Sequence, residues 1–175
     1  VGLPVFLYKA GWDFWAAGGF LAIWTIGYGF IQSVAPILLK RSQDGLSKEV
    51  PEARLWIVIM IFVPASLLLA FAFHNKLFTS PDLLVVIGLI IFGIPFALNS
   101  SLHSYLILAY AGSKKAAEDV GFYYAGNAVG RLIGTLLSGI LFQFGGFVAC
   151  IIGSLVMLMV CGYFTFRLPI SSNKN

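Results

Sequence analysis

The run from Gly146 to Phe166, GFVACIIGSLVMLMVCGYFTF, holds no charged residue and no proline. A hydrocarbon layer of ~30 Å is crossed by about 20 apolar residues of helix. This run meets that length, and it is not alone. Full spans are expected at about 16–39, 55–74, 83–109, 121–144 and 146–166, with a partial span at 1–9. The loops between them are short. Apolar residues make up 59% of the chain and charged residues 10%, against ~25% charged in soluble domains. A soluble fold could not hide so much apolar surface. The expected fold class is therefore an all-α membrane protein embedded in a lipid bilayer.

The net charge of +4 does not point to nucleic acid, because the basic residues lie in the short loops. Lys40, Arg41, Lys48, Arg54, Lys114, Lys115, Arg167 and Lys174 fall in one set of loops, and Lys9 and Lys76 in the opposite set. Basic loops stay on the cytoplasmic side, so the C-terminus is expected there. Trp12, Trp15 and Trp56 fall at span ends, where an aromatic belt would hold them. No secretory signal pattern opens the chain. VGLPVFLYKA reads instead as the tail of a span that starts upstream, so the chain is expected to be a fragment.

Arg131 is the only charged residue between Asp119 and Arg167. A charge at the centre of a membrane helix costs ~2.5–3.5 kcal/mol on insertion scales. An arginine does not escape by losing its proton. Such a residue is expected to face an aqueous path, an anionic ligand or an acidic partner. At 100° per residue, Tyr124, Asn127, Arg131, Thr135 and Ser138 fall within about 80° of arc, giving one polar face on an otherwise apolar helix. No acidic residue lies inside any span, so an ion-pair partner would have to come from outside this chain. Gly126, Gly130, Gly134 and Ser138 recur every four residues on the same helix, a ladder that lets another helix approach closely.

Two other spans carry polar residues. Span 83–109 holds Pro95, Asn99, Ser100, His103 and Ser104. Pro95 leaves the carbonyl four residues earlier without its helix donor. Asn99 and His103 are one turn apart, placed to bond a substrate, and His103 is of a type that titrates near neutrality. A polar end to the helix explains the same residues. In span 16–39, Trp24, Thr25, Tyr28 and Gln32 cover about 100° of arc. Gln32 needs a hydrogen-bond partner in lipid, and either a ligand path or helix packing supplies one. His74 reads as an interfacial residue and Pro64 as a kink.

Cys150 and Cys161 lie eleven residues apart on one helix, ~16 Å at 1.5 Å per residue. They cannot reach each other for a disulfide or a shared metal or arsenic(III) thiolate, and they read as small apolar packers. No metal site and no cofactor is expected. No nucleotide-binding loop, nucleophile elbow, zinc motif or redox pair occurs, so the chain is not expected to be an enzyme.

Gly18, Gly19, Gly27 and Gly29 crowd one span, and Gly121, Gly126, Gly130, Gly134 and Gly139 another. Each Gly-rich span is followed by one rich in Leu, Ile, Val, Phe and Met. The order reads as two three-helix units, the second inverted relative to the first, as in many secondary transporters.

Two stretches, GWDFWAAGGFLAIWTIGYGFIQSVAP (residues 11–36) and GFYYAGNAVGRLIGTLLSG (residues 121–139), resemble the C-terminal half of the organoarsenical efflux transporters of the major facilitator superfamily. The resemblance implies a twelve-helix carrier, of which this chain supplies helices seven (truncated) to twelve. Its partner would be the N-terminal half of the same transporter, and its location the bacterial inner membrane. The substrate implied is an anionic small molecule, 1-arseno-3-phosphoglycerate, made when a glyceraldehyde-3-phosphate dehydrogenase uses arsenate; a functional link to that enzyme follows. Guanidinium groups bind oxyanions well, which suits Arg131. The expected substrate contacts are Arg131, Asn127, Tyr124 and Thr135, with Asn99 and His103 from the neighbouring helix and Gln32 and Tyr28 from the first Gly-rich span. A carrier for another phosphorylated or drug-like substrate, and a membrane scaffold that transports nothing, are the alternatives.

Overall fold

A computed structural model describes residues 1–39, 42, 46–73, 80–111 and 116–170. All regular structure among them is helical. The chain forms α1 (Gly2–Lys9), α2 (Phe14–Leu38), α3 (Glu49–Ala72), α4 (Pro81–Tyr110) and α5 (Ala116–Phe166). The last four are long and apolar enough to cross a membrane. His74, Lys76, Lys114, Lys115 and Lys174 lie outside the described residues, as do Lys40 and Arg41.

Local sequence accounts for where the helices start and break. Asp13 caps α2, its carboxylate accepting from the Ala16 amide at 2.6 Å, which satisfies one of the amides a helix start leaves open. Pro81 opens α4, where a missing amide costs nothing. Within α5 the backbone leaves helical geometry at Gly145 (φ −142°, ψ 17°) and Gly146 (φ 63°, ψ −157°). The second of these conformations belongs essentially to glycine. The break divides α5 into a first limb, 116–144, and a second, 147–166.

α4 is the central helix: it packs on α2 and α3 and touches α5, while α3 also packs along α5. At one end of the bundle Leu46, Val50, Ala53, Leu102 and Leu106 form a fully enclosed core, flanked by Leu39, Trp56, Ala109 and Leu168. Arg54 ties the chain's end to this core by donating to the carbonyls of Phe166 (3.1 Å) and Leu168 (2.8 Å). At the other end α1 seats on the break in α5. Phe6 stacks on Phe147 with ring centroids 4.2 Å apart, and the Gly2 amide donates to Ser138 Oγ at 3.2 Å. A side chain at Gly2 would strike Cys150 and Phe142.

Candidate functional site

The first limb of α5 meets the rest of the chain near its two ends. Near its start the hydroxyls of Tyr123 and Ser104 are 3.1 Å apart. Toward its far end Ser138 meets Gly2, and Cys150 Sγ donates to the Ser138 carbonyl at 3.4 Å. Every residue from 124 to 136 is exposed, and Arg131 stands in the middle of this uncovered stretch. No described residue takes a hydrogen bond from its guanidinium. Tyr124, Asn127 and Thr135, the flanking members of the polar face, are exposed beside it. Thr135 Oγ1 donates to the backbone carbonyl of Arg131 at 2.8 Å, which leaves the guanidinium unengaged. A Cβ added at Gly126, Gly130 or Gly134 would meet nothing within 4 Å. Among the described residues the three glycines of the ladder pack against no other helix; its last member, Ser138, meets α1 at Gly2.

The other expected contacts gather on α4, apart from Arg131. Ser100 is their hub. Its hydroxyl lies 3.4 Å from both Tyr28 Oη and Gln32 Nε2, so Gln32 has found its partner in a neighbouring helix. Tyr28 is held by a run of stacked rings, with Trp24 on one side (6.0 Å, 11°) and Phe96 on the other (5.2 Å, 26°). Trp24 is fixed in turn by its indole N–H, which donates to the Leu89 carbonyl at 2.8 Å. That is not the carbonyl Pro95 leaves free, which belongs to Ile91. Gly93 admits the indole: a Cβ there would lie 3.1 Å from Trp24 Nε1.

Asn99 and His103 turn into the bundle. Asn99 is only 6% exposed, and its Oδ1 is buried without a hydrogen-bond partner. His103 Nδ1 is 2.9 Å from the Asn99 carbonyl, an acceptor, so this nitrogen carries a proton. The other ring nitrogen points at Thr165 Oγ1, 3.5 Å away on the second limb. The first contact lies within α4; the second sets α4 beside the end of α5, where the Thr165 hydroxyl donates to the Cys161 carbonyl at 2.9 Å.

The structure thus divides the expected residues into three groups: Arg131 with Tyr124, Asn127 and Thr135 on the first limb; Tyr28 and Gln32 on Ser100; and Asn99 with His103. Ser100, Ser104, Tyr123 and Thr165 join them without having been expected. Ser100 and Ser104 had a signal, since they stand one turn apart beside Asn99 and His103. Tyr123 is the immediate neighbour of Tyr124. Thr165 had none, being one of three scattered hydroxyls, with Ser154 and Tyr163, in an apolar run.

Cys150 and Cys161 are both free thiols. Among the described residues no cluster of His, Cys, Asp and Glu is arranged to hold a metal ion. One apolar cavity of about 230 Å³ lies between α1, α3, α4 and both limbs of α5, lined by Leu3, Pro64, Leu67, Gly88, Phe92 and Phe147 among others. Comparison with known protein families, with curated proteins and with solved structures finds no match.

Proposed function

We propose that this chain is the C-terminal half of a major facilitator carrier that exports an anionic organoarsenical, 1-arseno-3-phosphoglycerate, and so confers arsenate resistance. The observation that carries the proposal is Arg131, a permanent cation in the middle of an apolar helix, exposed and unengaged by any described residue. A charge so placed costs too much to serve as filler, and a planar guanidinium suits a multivalent oxyanion. Asn127, Tyr124 and Thr135 would add neutral contacts around it. The protein is a transporter on this reading, not an enzyme, and needs no cofactor.

Two open surfaces support the partner. Residues 124–136 are exposed, and the glycines of α2 (Gly18, Gly19, Gly27 and Gly29) have open space where a side chain would stand. The two Gly-rich helices would meet the N-terminal half there, as the second helices of two inverted three-helix units. The carrier would sit in the bacterial inner membrane with its C-terminus in the cytoplasm.

The test is arsenate resistance in sensitive cells carrying the full reading frame and an active glyceraldehyde-3-phosphate dehydrogenase. Resistance should appear, and Arg131→Ala should abolish it at matched membrane levels. Resistance that survives the substitution removes Arg131 from the anion site. No resistance from a protein present in the membrane removes the arsenical substrate and favours another phosphorylated one. Cysteines introduced at Asn127, Arg131 and Thr135 should react with aqueous reagents in a substrate-dependent manner; labelling indifferent to substrate favours a scaffold.

A further inference from the structure

We propose that the apolar cavity beside the break in α5 is a binding site for the hydrocarbon tail of a membrane lipid. The inference rests on the chain's spanning a bilayer. It holds whatever Arg131 binds, since none of residues 124–136 lines the cavity.

The wall decides the chemistry of the occupant. No Asp, Glu, Lys, Arg or His lines the space, so an ion would find no countercharge. The three polar side chains in the wall, Ser138, Cys150 and Ser154, are engaged with the backbone. Ser138 Oγ accepts from the Gly2 amide at 3.2 Å. Cys150 Sγ donates to the Ser138 carbonyl at 3.4 Å, and Ser154 Oγ to the Cys150 carbonyl at 2.9 Å. A trapped water needs about two to four polar partners, and a dry apolar cavity of ~150 Å³ already takes up benzene. At about 230 Å³ this one has room for a run of methylene groups. Small residues keep it open. Gly88, Cys150 and Ser154 stand where larger apolar side chains would fill the space. Leu67 rests against Gly88, where a Cβ would lie 2.8 Å from its Cδ1. Left empty, the lining lacks the contacts that a filled core makes.

Depth decides the source of the occupant. Ser154 is the one exposed residue of the lining, so the mouth lies there. It falls between Gly146 and Phe166, about 12 Å along the helix from the first and about 18 Å from the second. The mouth therefore opens near the middle of an uncharged span, where the surrounding medium is lipid tails rather than water. The face around it suits them: Ile152, Val156, Met157 and Val160 are exposed and large. The glycines of the second limb are already taken, Gly153 by Leu141 and Gly162 by Ile61. Those with open space for another helix stand on α2 and the first limb. A tail entering beside Ser154 would touch α3, α4 and both limbs of α5, and so brace the break at Gly145–Gly146.

The test places the full-length protein in lipid nanodiscs that contain a phosphatidylcholine with a photoreactive diazirine at mid-chain, and maps the adducts by mass spectrometry. Adducts should form on the inner wall, at Leu67, Phe92 and Ile151, as well as on the outer face, at Met157 and Val160. Ser154→Phe puts a ring in the mouth and should remove most of the inner adducts while the outer ones persist. A second measurement needs no substitution. The same diazirine on a methyl-branched tail, which is thicker along its whole length, should label the outer face and largely spare the inner wall. Adducts from the linear tail that stay confined to the outer face overturn the proposal. So do equal inner adducts from linear and branched tails, or inner adducts that Ser154→Phe leaves unchanged in a variant that melts like the wild type. Inner-wall labelling by a free aryl diazirine, with none from the lipid, also overturns it and makes the cavity a site for small free molecules.

Discussion

Replacing Arg131 should separate function from folding, because the guanidinium has no described partner to lose. In Arg131→Met the backbone carbonyl that Thr135 bonds is retained, and no hydrogen bond or ion pair among the described residues disappears. The charge itself is removed from an apolar helix, a change worth ~2.5–3.5 kcal/mol in favour of insertion. Membrane level and thermal stability should therefore be unchanged or higher. Transport should move the other way. A bidentate oxyanion makes two charge-assisted bonds of ~1.5–3 kcal/mol each, together ~3–6 kcal/mol, or roughly 140- to 20,000-fold in apparent affinity. Arg131→Lys keeps the charge but not the fork, so about half of that free energy should be lost. The assay is substrate flux into inverted vesicles, paired with melting of the purified protein followed by tryptophan fluorescence. A result in which Arg131→Met loses ~3 kcal/mol or more of stability along with flux refutes the argument. That is the signature of breaking a buried ion pair, and it would make Arg131 a structural tie to an acidic group elsewhere.

Three further perturbations test the packing that holds the site. Gly93→Ala would put a methyl 3.1 Å from Trp24 Nε1 and should lower stability by ~1–3 kcal/mol, as overpacking does, with a red-shifted tryptophan emission as the indole leaves Leu89. The nearest atoms to a methyl at Gly88 belong to the Leu67 side chain, at 2.8–3.1 Å; Leu67 borders the apolar cavity and can swing into it, so melting should show a smaller loss than at Gly93. Arg54→Met removes the donors to Phe166 and Leu168, and limited proteolysis should cut the C-terminal segment faster, with ~1.5–3 kcal/mol lost per charge-assisted bond as an upper bound.

The helical, membrane-spanning character was legible because hydropathy over ~20 residues is a property of one segment and needs no knowledge of its neighbours. The boundary expected between spans 121–144 and 146–166 falls at Gly145–Gly146, where Gly146 holds φ 63°. Residue pairing across helices was not legible. Gln32 declared that it needed a partner, but nothing in its own span named Ser100, which lies 68 positions away. Asn99 and His103 share a helical face, and periodicity cannot tell a face that lines a path from one that binds a neighbouring helix. His103 donates to the Asn99 carbonyl of its own helix and lies beside Thr165 of α5, and nothing in either span names the other. Arg131 was the opposite case. Its cost in lipid marked it from the sequence, and the structure adds that the surrounding helix is left uncovered.

The glycines sharpen what that uncovered helix is for. A side chain at Gly88 or Gly153 would collide with Leu67 or Leu141, and one at Gly2 or Gly93 would press tightly on Cys150 or Trp24. The cost of these glycines in helix propensity, ~1 kcal/mol each relative to alanine, is offset by close packing within this chain. Gly18, Gly19, Gly27 and Gly29 on α2, and Gly121, Gly126, Gly130 and Gly134 on α5, carry the same cost against open space. They fall on α2 and α5, two of the three helices that contact α4. On the proposed reading the cost is recovered when a second half of the carrier packs against both flanks, with α4 as the floor between them. Arg131 would then lie in an enclosed space that neither half forms alone. Close helix approach at those glycines would be what excludes water around the bound anion and strengthens the guanidinium's hold on it. A methyl at Gly130 should therefore raise the stability of this chain by up to ~1 kcal/mol and lower flux in the assembled carrier. Unchanged flux in Gly130→Ala, with normal membrane levels, would remove the helix-approach role from the ladder.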